Sequence, residues 1–114
     1  MGYSKEYRAK VEELMSAVLP ITTRPMFGGV GITTEGIFFG LIAEDKLYFK
    51  VSELNRGDFE EAGMDPFYPF SSAKPMSYWE LPAGVLEEPS ELKLWIDKAV
   101  AVAEAAKKPG SRKS

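Results

Sequence analysis

Three stretches decide the fold: Arg24-Pro25-Met26-Phe27-Gly28-Gly29-Val30-Gly31-Ile32, Ile37-Phe38-Phe39-Gly40-Leu41-Ile42-Ala43 and Leu47-Tyr48-Phe49-Lys50-Val51. Short polar connections join them, Thr33-Thr34-Glu35-Gly36 and Glu44-Asp45-Lys46. β-Branched and aromatic runs broken by Thr, Gly and Asp turns are the pattern of consecutive hairpins. Residues 24–51 therefore predict a β-meander. In its last run the period of two puts Leu47, Phe49 and Val51 on one face and Tyr48 and Lys50 on the other.

The flanks read as helices. Over residues 5–19, Tyr7, Val11, Leu14, Met15 and Val18 recur at helical spacing. Ser4 is a candidate N-cap, Glu6 suits the first turn, and Pro20 ends the element. Residues 55–62 predict a short helix, with Asn55 and Asp58 as a capping box and Gly63 at C′. Its Leu54, Phe59 and Ala62 are expected to face the core. Asp65-Pro66-Phe67-Tyr68-Pro69-Phe70 is expected as an edge strand or an irregular extended segment, because Pro69 cannot donate to a ladder. A loop over 71–75 follows, then a strand over 76–81 closed by Pro82. The clearest helix is 90–107, capped by Ser90, with Leu92, Trp95, Ile96, Ala99, Val100, Ala103 and Ala106 on one stripe. Helix, meander, short helix, extended segment, helix is the order of an α+β domain: an antiparallel β-meander sheet with N- and C-terminal helices packed on it and a short middle helix. We expect one domain over 1–106 and a disordered basic tail over 107–114.

With 114 residues the chain is long enough to bury a core as a single domain. It has no Cys and no His. Disulfides, thiolate nucleophiles, Cys/His zinc sites and histidine-based triads are excluded. No catalytic residue, metal or cofactor is indicated. No apolar run reaches the roughly 20 residues that span a bilayer, and the N-terminus lacks a signal-peptide pattern. A cytoplasmic protein with no membrane contact is expected. The net charge is −3. The tail carries Lys107, Lys108, Arg112 and Lys113 without an acid, so the body is more acidic than the whole. An acidic body disfavours phosphate-driven binding, although the tail offers a nucleic-acid contact.

The candidate contact residues are Arg24, Gly28, Gly29, Tyr48, Lys50 and Tyr78. The glycines can form an anion-binding backbone cradle, or mark a strand where another backbone approaches closely. No Gly-Lys-Ser/Thr follows, so this is no P-loop. Arg24 can bind a carboxylate or phosphate as a fork, or tie the first helix to the sheet. Tyr48 and Tyr78 can stack on a ligand or pack within the fold, and Lys50 shares the Tyr48 face. The acids Glu53, Asp58, Glu60, Glu61 and Asp65 read as a solvated helix face.

Several stretches together resemble the N-terminal domain of the TfoX/Sxy competence regulators. They are Arg24-Pro25-Met26-Phe27-Gly28-Gly29-Val30-Gly31, Leu47-Tyr48-Phe49-Lys50-Val51, Asn55-Arg56-Gly57-Asp58-Phe59, Gly63-Met64-Asp65-Pro66-Phe67 and Met76-Ser77-Tyr78-Trp79-Glu80-Leu81-Pro82, followed by the Leu92-to-Ala103 helix. The resemblance spans roughly residues 5–105. It implies a stand-alone α+β domain of a kind found in regulators of competence gene expression. The expected function is a non-enzymatic regulatory module with a protein partner, transcription machinery among the candidates. Direct nucleic-acid binding through the tail and small-ligand binding are the alternatives.

Overall fold

The hairpins close where two successive residues take up left-handed backbone. The computed structural model describes residues 4–26, 29–67 and 77–107. Strands β2 (Gly29–Thr34) and β3 (Ile37–Ala43) are joined by Glu35 and Gly36, at φ 50° and 80°. Strand β4 (Lys46–Lys50) follows β3 through Glu44 and Asp45, at φ 52° and 59°. Two central residues at positive φ match the right-handed twist of flanking strands. Asp45 is also fixed from outside, because its Oδ1 accepts the Ser4 N–H at 2.6 Å.

The stretch 24–32, read as one strand, is two. Strand β1 (Thr22–Met26) pairs antiparallel with β2, from Thr22↔Thr33 to Met26↔Gly29. Phe27 and Gly28 lie outside the described residues. Strand β5 (Tyr78–Glu80), shorter than the expected 76–81, completes a five-stranded antiparallel sheet in the order β1-β2-β3-β4-β5. Beyond β5, the Phe67 N–H donates to the Tyr78 carbonyl at 2.7 Å and the Glu80 N–H to the Asp65 carbonyl at 3.0 Å. Residues 65–67 thus act as the expected edge segment, and residues 68–76 lie outside the described residues.

The β2–β3 register slips between Ile32↔Gly40 and Thr33↔Phe38, leaving Phe39 as the extra residue of a bulge. A bulge lets neighbouring side chains escape strict alternation. Phe39 joins the main core with Ile42, whereas Phe38 packs with Leu41 in a second cluster on the opposite face.

Helix α1 (Lys5–Ser16) starts as expected, with Ser4 Oγ accepting the Tyr7 N–H at 3.0 Å, and buries Val11 and Met15. Helix α2 (Arg56–Glu61) buries Phe59. It has no capping box. Asn55 instead accepts the Ser52 N–H at 2.9 Å and donates to the Lys50 carbonyl at 3.0 Å, which ties the helix to the end of β4. Asp58 turns to Lys98. Leu54 and Ala62, expected in the core, are exposed, Leu54 at 71%. A helix of six residues presents too short a stripe to bury both flanks. Gly63 has φ 76°, and the Met64 N–H reaches back to the Phe59 carbonyl, so the C′ reading holds.

Helix α3 (Ala83–Leu86) was not foreseen; a single turn leaves no periodic signal. Helix α4 runs Pro89–Lys107, so Ser90 lies inside it and Pro89 takes the first helical position. Its buried face is Leu92, Ile96, Ala99, Val102 and Ala103. Ala106 is exposed, and Trp95 is half-buried with its ring edge-on to Phe59 at 4.8 Å. The helices cover one face of the sheet, where Phe39 and Phe49 meet at 5.5 Å in the core centre. Lys107 closes α4; Lys108, Arg112 and Lys113 lie outside the described residues.

Candidate functional site on the sheet face opposite the helices

Strand alternation puts Arg24, Gly31, Leu41, Tyr48 and Glu80 in one cross-strand row on the face away from the helices. Leu41, Tyr48 and Tyr78 form a buried cluster there, with Phe38, Ala43 and Phe67 packed against it. Tyr48 and Phe67 have ring centroids 4.7 Å apart, and Phe38 and Tyr78 5.6 Å apart. Both tyrosines are therefore packing residues first. Lys50 lies beside them. Its Nζ donates to Ser77 Oγ at 2.9 Å and stands 5.2 Å from the Tyr78 ring centroid, a cation–π distance.

Tyr48, Lys50 and Tyr78 are thus brought together. Arg24 is not with them: it sits on β1, three strands from Tyr48 and so about 14 Å away at the usual interstrand spacing. Arg24 is exposed and makes no hydrogen bond or ion pair among the described residues. The tie between α1 and the sheet is made by Arg8, which sequence reading passed over. Arg8 Nε donates to Glu12 at 2.9 Å and Nη2 to Thr23 Oγ1 at 3.0 Å, while the Thr23 hydroxyl donates to Glu12 at 2.6 Å. The Thr23 hydroxyl, with Arg8, holds the Glu12 carboxyl below its ordinary range despite some burial.

Gly29 has a structural reason. A Cβ there would collide with the carbonyl oxygen of Ile42. Close backbone approach, not an anion cradle, accounts for this glycine. Gly28 lies outside the described residues. At Gly31 a Cβ would meet Met26 Sδ at 2.6 Å and Phe38 Cε1 at 3.0 Å. Those two side chains lean over the bare backbone.

The cations divide by layer. On the helices, Lys10 pairs with Glu87 at 2.7 Å, Arg56 with Glu60 at 3.6 Å, Lys93 with Asp97 at 2.9 Å and Lys98 with Asp58 at 2.7 Å, beside the Arg8–Glu12 pair. On the strands, Arg24, Lys46 and Lys50 have no carboxylate partner among the described residues; Lys5, at the start of α1, also has none. Among the described residues the one carboxylate on the strands is Glu80. With Glu44 of the adjacent turn it adds to burial in pushing the Tyr48 hydroxyl above its ordinary pKa.

Among the described residues no three His, Cys, Asp or Glu side chains gather as a metal site. A cavity of about 80 Å³ between α1 and α3 is lined by Tyr7, Lys10, Leu47, Leu81, Leu86 and Glu87. It is far smaller than the roughly 300–1,000 Å³ of ordinary ligand pockets. Among the described residues no helix is long and apolar enough to cross a membrane.

The family model for the TfoX N-terminal domain matches residues 13–103. This chain belongs to the TfoX N-terminal domain family. The match takes in the whole sheet, α2, α3, the last turn of α1 and most of α4, so the face described above lies within the family domain. The family is not a known enzyme family. No curated protein matches the chain.

Burial also sets an alkaline limit. It pushes the Tyr78 hydroxyl up to about 12, and burial followed by the charges of Asp45 and Glu80 does the same to Tyr7. Both pKa values are raised over the unfolded value of about 10, so the unfolded chain loses these protons first. Their contribution is complete below pH 10 and is lost as pH rises toward 12. Melting temperature should fall steeply over that window, and Tyr7→Phe with Tyr78→Phe should flatten the fall. An equally steep fall in the double variant would place the alkaline limit elsewhere.

Proposed function

We propose that this TfoX N-terminal domain is a non-enzymatic, cytoplasmic regulatory module that binds a protein partner with the sheet face opposite its helices. The observation that carries this reading is the division of cations. Among the described residues the helical cations Arg8, Lys10, Arg56, Lys93 and Lys98 are engaged by carboxylates of the chain, with Lys5 at the start of α1 the exception, whereas Arg24, Lys46 and Lys50 on the strands are left for an outside partner.

The face is favoured over the free edge of β1. Thr33 Oγ1 bonds to the Thr22 carbonyl, which places that carbonyl on the β2 side. By alternation Pro25 then aims its nitrogen outward, and a proline nitrogen cannot donate to an added strand. Family membership supports a role in regulation, with competence gene expression as the first pathway to examine. Stacking of bases is disfavoured, because the Tyr48 and Tyr78 rings are almost fully covered.

Cross-linking capture from cell lysate should compare the wild-type chain with Arg24→Glu/Lys50→Glu. The expected result is a protein enriched by the wild type and reduced about tenfold by the variant, with an unchanged melting temperature. Such a drop corresponds to about 1.4 kcal/mol of binding free energy. Identical captured sets would overturn the assignment of the face.

A further inference from the structure

The two cations Arg24 and Lys50 are joined by one continuous strip of side chains. The Phe38 ring lies against Gly31, the cross-strand partner of Arg24. The same ring is 5.6 Å from Tyr78, and Tyr78 lies 5.2 Å beneath the Lys50 ammonium. The strip therefore reads cation, half-buried aromatic, buried aromatic, cation. Lys46 is on the same face, at the turn end of β4 and two residues from Glu44 in sequence, outside this strip. Strands β1 and β4, which carry Arg24 and Lys50, contain no carboxylate.

We propose, resting on the protein-partner reading above, that this strip takes an acidic, extended segment of the partner with the pattern acid-x-apolar-x-acid. The physical fit has three parts. Arg24 and Lys50 are three strands apart with a two-residue offset, which puts their Cα atoms about 16 Å apart, and their side chains shorten the gap. In an extended chain, residues i and i+4 lie on one face about 13 Å apart. The residue between them, i+2, then meets Phe38. Arg24 is exposed and can grip a carboxylate as a fork. Lys50 is held in place by Ser77 and the Tyr78 ring, so little freedom remains to be lost when a carboxylate arrives. A nucleic-acid strand fits less well. It presents a phosphate at every residue, whereas the strip offers two separated cations around an apolar centre, with Glu80 and Glu44 alongside.

The test uses the full chain and labelled 12-residue probes: three repeats of Glu-Ser-Val-Ser, of Gln-Ser-Val-Ser and of Lys-Ser-Val-Ser (the Glu-Val, Gln-Val and Lys-Val peptides), which place the two residue types alternately along one face of an extended chain, and a dT12 oligonucleotide. Fluorescence anisotropy is read at two salt concentrations. The Glu-Val peptide should bind at least tenfold more tightly than the Gln-Val peptide and weaken with salt. Arg24→Glu/Lys50→Glu should abolish that preference. Lys5→Glu/Lys93→Glu, which changes net charge equally on the helical side, should leave it intact. Equal binding of Glu-Val and Gln-Val, tighter binding of dT12, or equal loss in both variants would overturn the acidic-segment proposal. The broader reading is read separately, by amide shifts on adding the lysate partner. Shifts on the strands with no Glu-Val preference sink only the acidic segment. Shifts confined to the helices sink both.

Discussion

Replacing Phe49 by Ala is expected to lower folding stability by about 3–5 kcal/mol. Phe49 is fully buried on β4, near the middle of the sheet, edge-on to Phe39 at 5.5 Å. Its cross-strand partner on β3 is Gly40, which has no side chain to fill the space left behind. A Cβ at Gly40 would already lie 3.4 Å from Ile32, so the sheet is closely packed at this point. The cavity left by truncation would therefore stay open, and open cavities account for the upper part of the usual range. A domain of this kind has a total stability of about 5–15 kcal/mol, so the loss is a large share of it. Urea denaturation followed by tryptophan fluorescence measures it directly. A loss below about 1 kcal/mol would mean that the helices do not close over this face as described.

The second large effect is expected at Gly29. Gly29→Ala places a methyl group on the Ile42 carbonyl oxygen. The obstacle is backbone in the middle of β3, so no rotamer change relieves it. Strands β2 and β3 must move apart, at an expected cost of about 3 kcal/mol. Gly31→Ala is the informative comparison. Its obstacles are the tips of Met26 and Phe38, which can turn away, and about 1 kcal/mol is expected there. The pair separates packing from ligand binding in this glycine-rich stretch. If Gly29→Ala kept full stability and lost partner capture, the anion-cradle reading of these glycines would return.

Much of the sheet was legible because hairpins are local. Glu35-Gly36 and Glu44-Asp45 announce turns, and the period of two in Leu47–Val51 assigns the core and outer faces correctly. Ser4 as a cap and Gly63 at C′ were equally legible, since caps depend on residues within one turn. The errors lie where a side chain chose a distant partner. Asn55 resembles an N-cap, but the carbonyl of Lys50 and the N–H of Ser52 claim it. Asp58 was assigned to the same cap and instead meets Lys98, forty residues away. Leu54 is apolar and stays in water, because no element among the described residues covers it. The first strand was read through Gly28-Gly29 as continuous, although β1 and β2 pair on either side of it.

The candidate site was legible in part. Tyr48 and Lys50 share a face by alternation, and that face needs no tertiary information. Tyr78 joins them only because β5 pairs with β4 in the register Lys50↔Tyr78. Sequence offered Arg24 as a tie between the first helix and the sheet, but could not show that Arg8 of α1 makes that tie, because the contact depends on how the helix docks on β1. The fold gives Arg8 to Glu12 and Thr23, and leaves Arg24 exposed.

The sequence by itself determined the class of the domain, its hairpins, its two long helices, its family and the absence of thiol and imidazole chemistry. These follow from composition and from interactions over a few residues, which the order of amino acids states directly. Only the tertiary structure decided which cations are spent on internal pairs, which glycine is held by a neighbouring backbone, and that Phe38 bridges Gly31 to Tyr78. Those depend on strand register and on a one-residue bulge at Phe39. A shift of one residue in register exchanges the two faces of a strand, and contacts across several strands are fixed only once the whole sheet has formed.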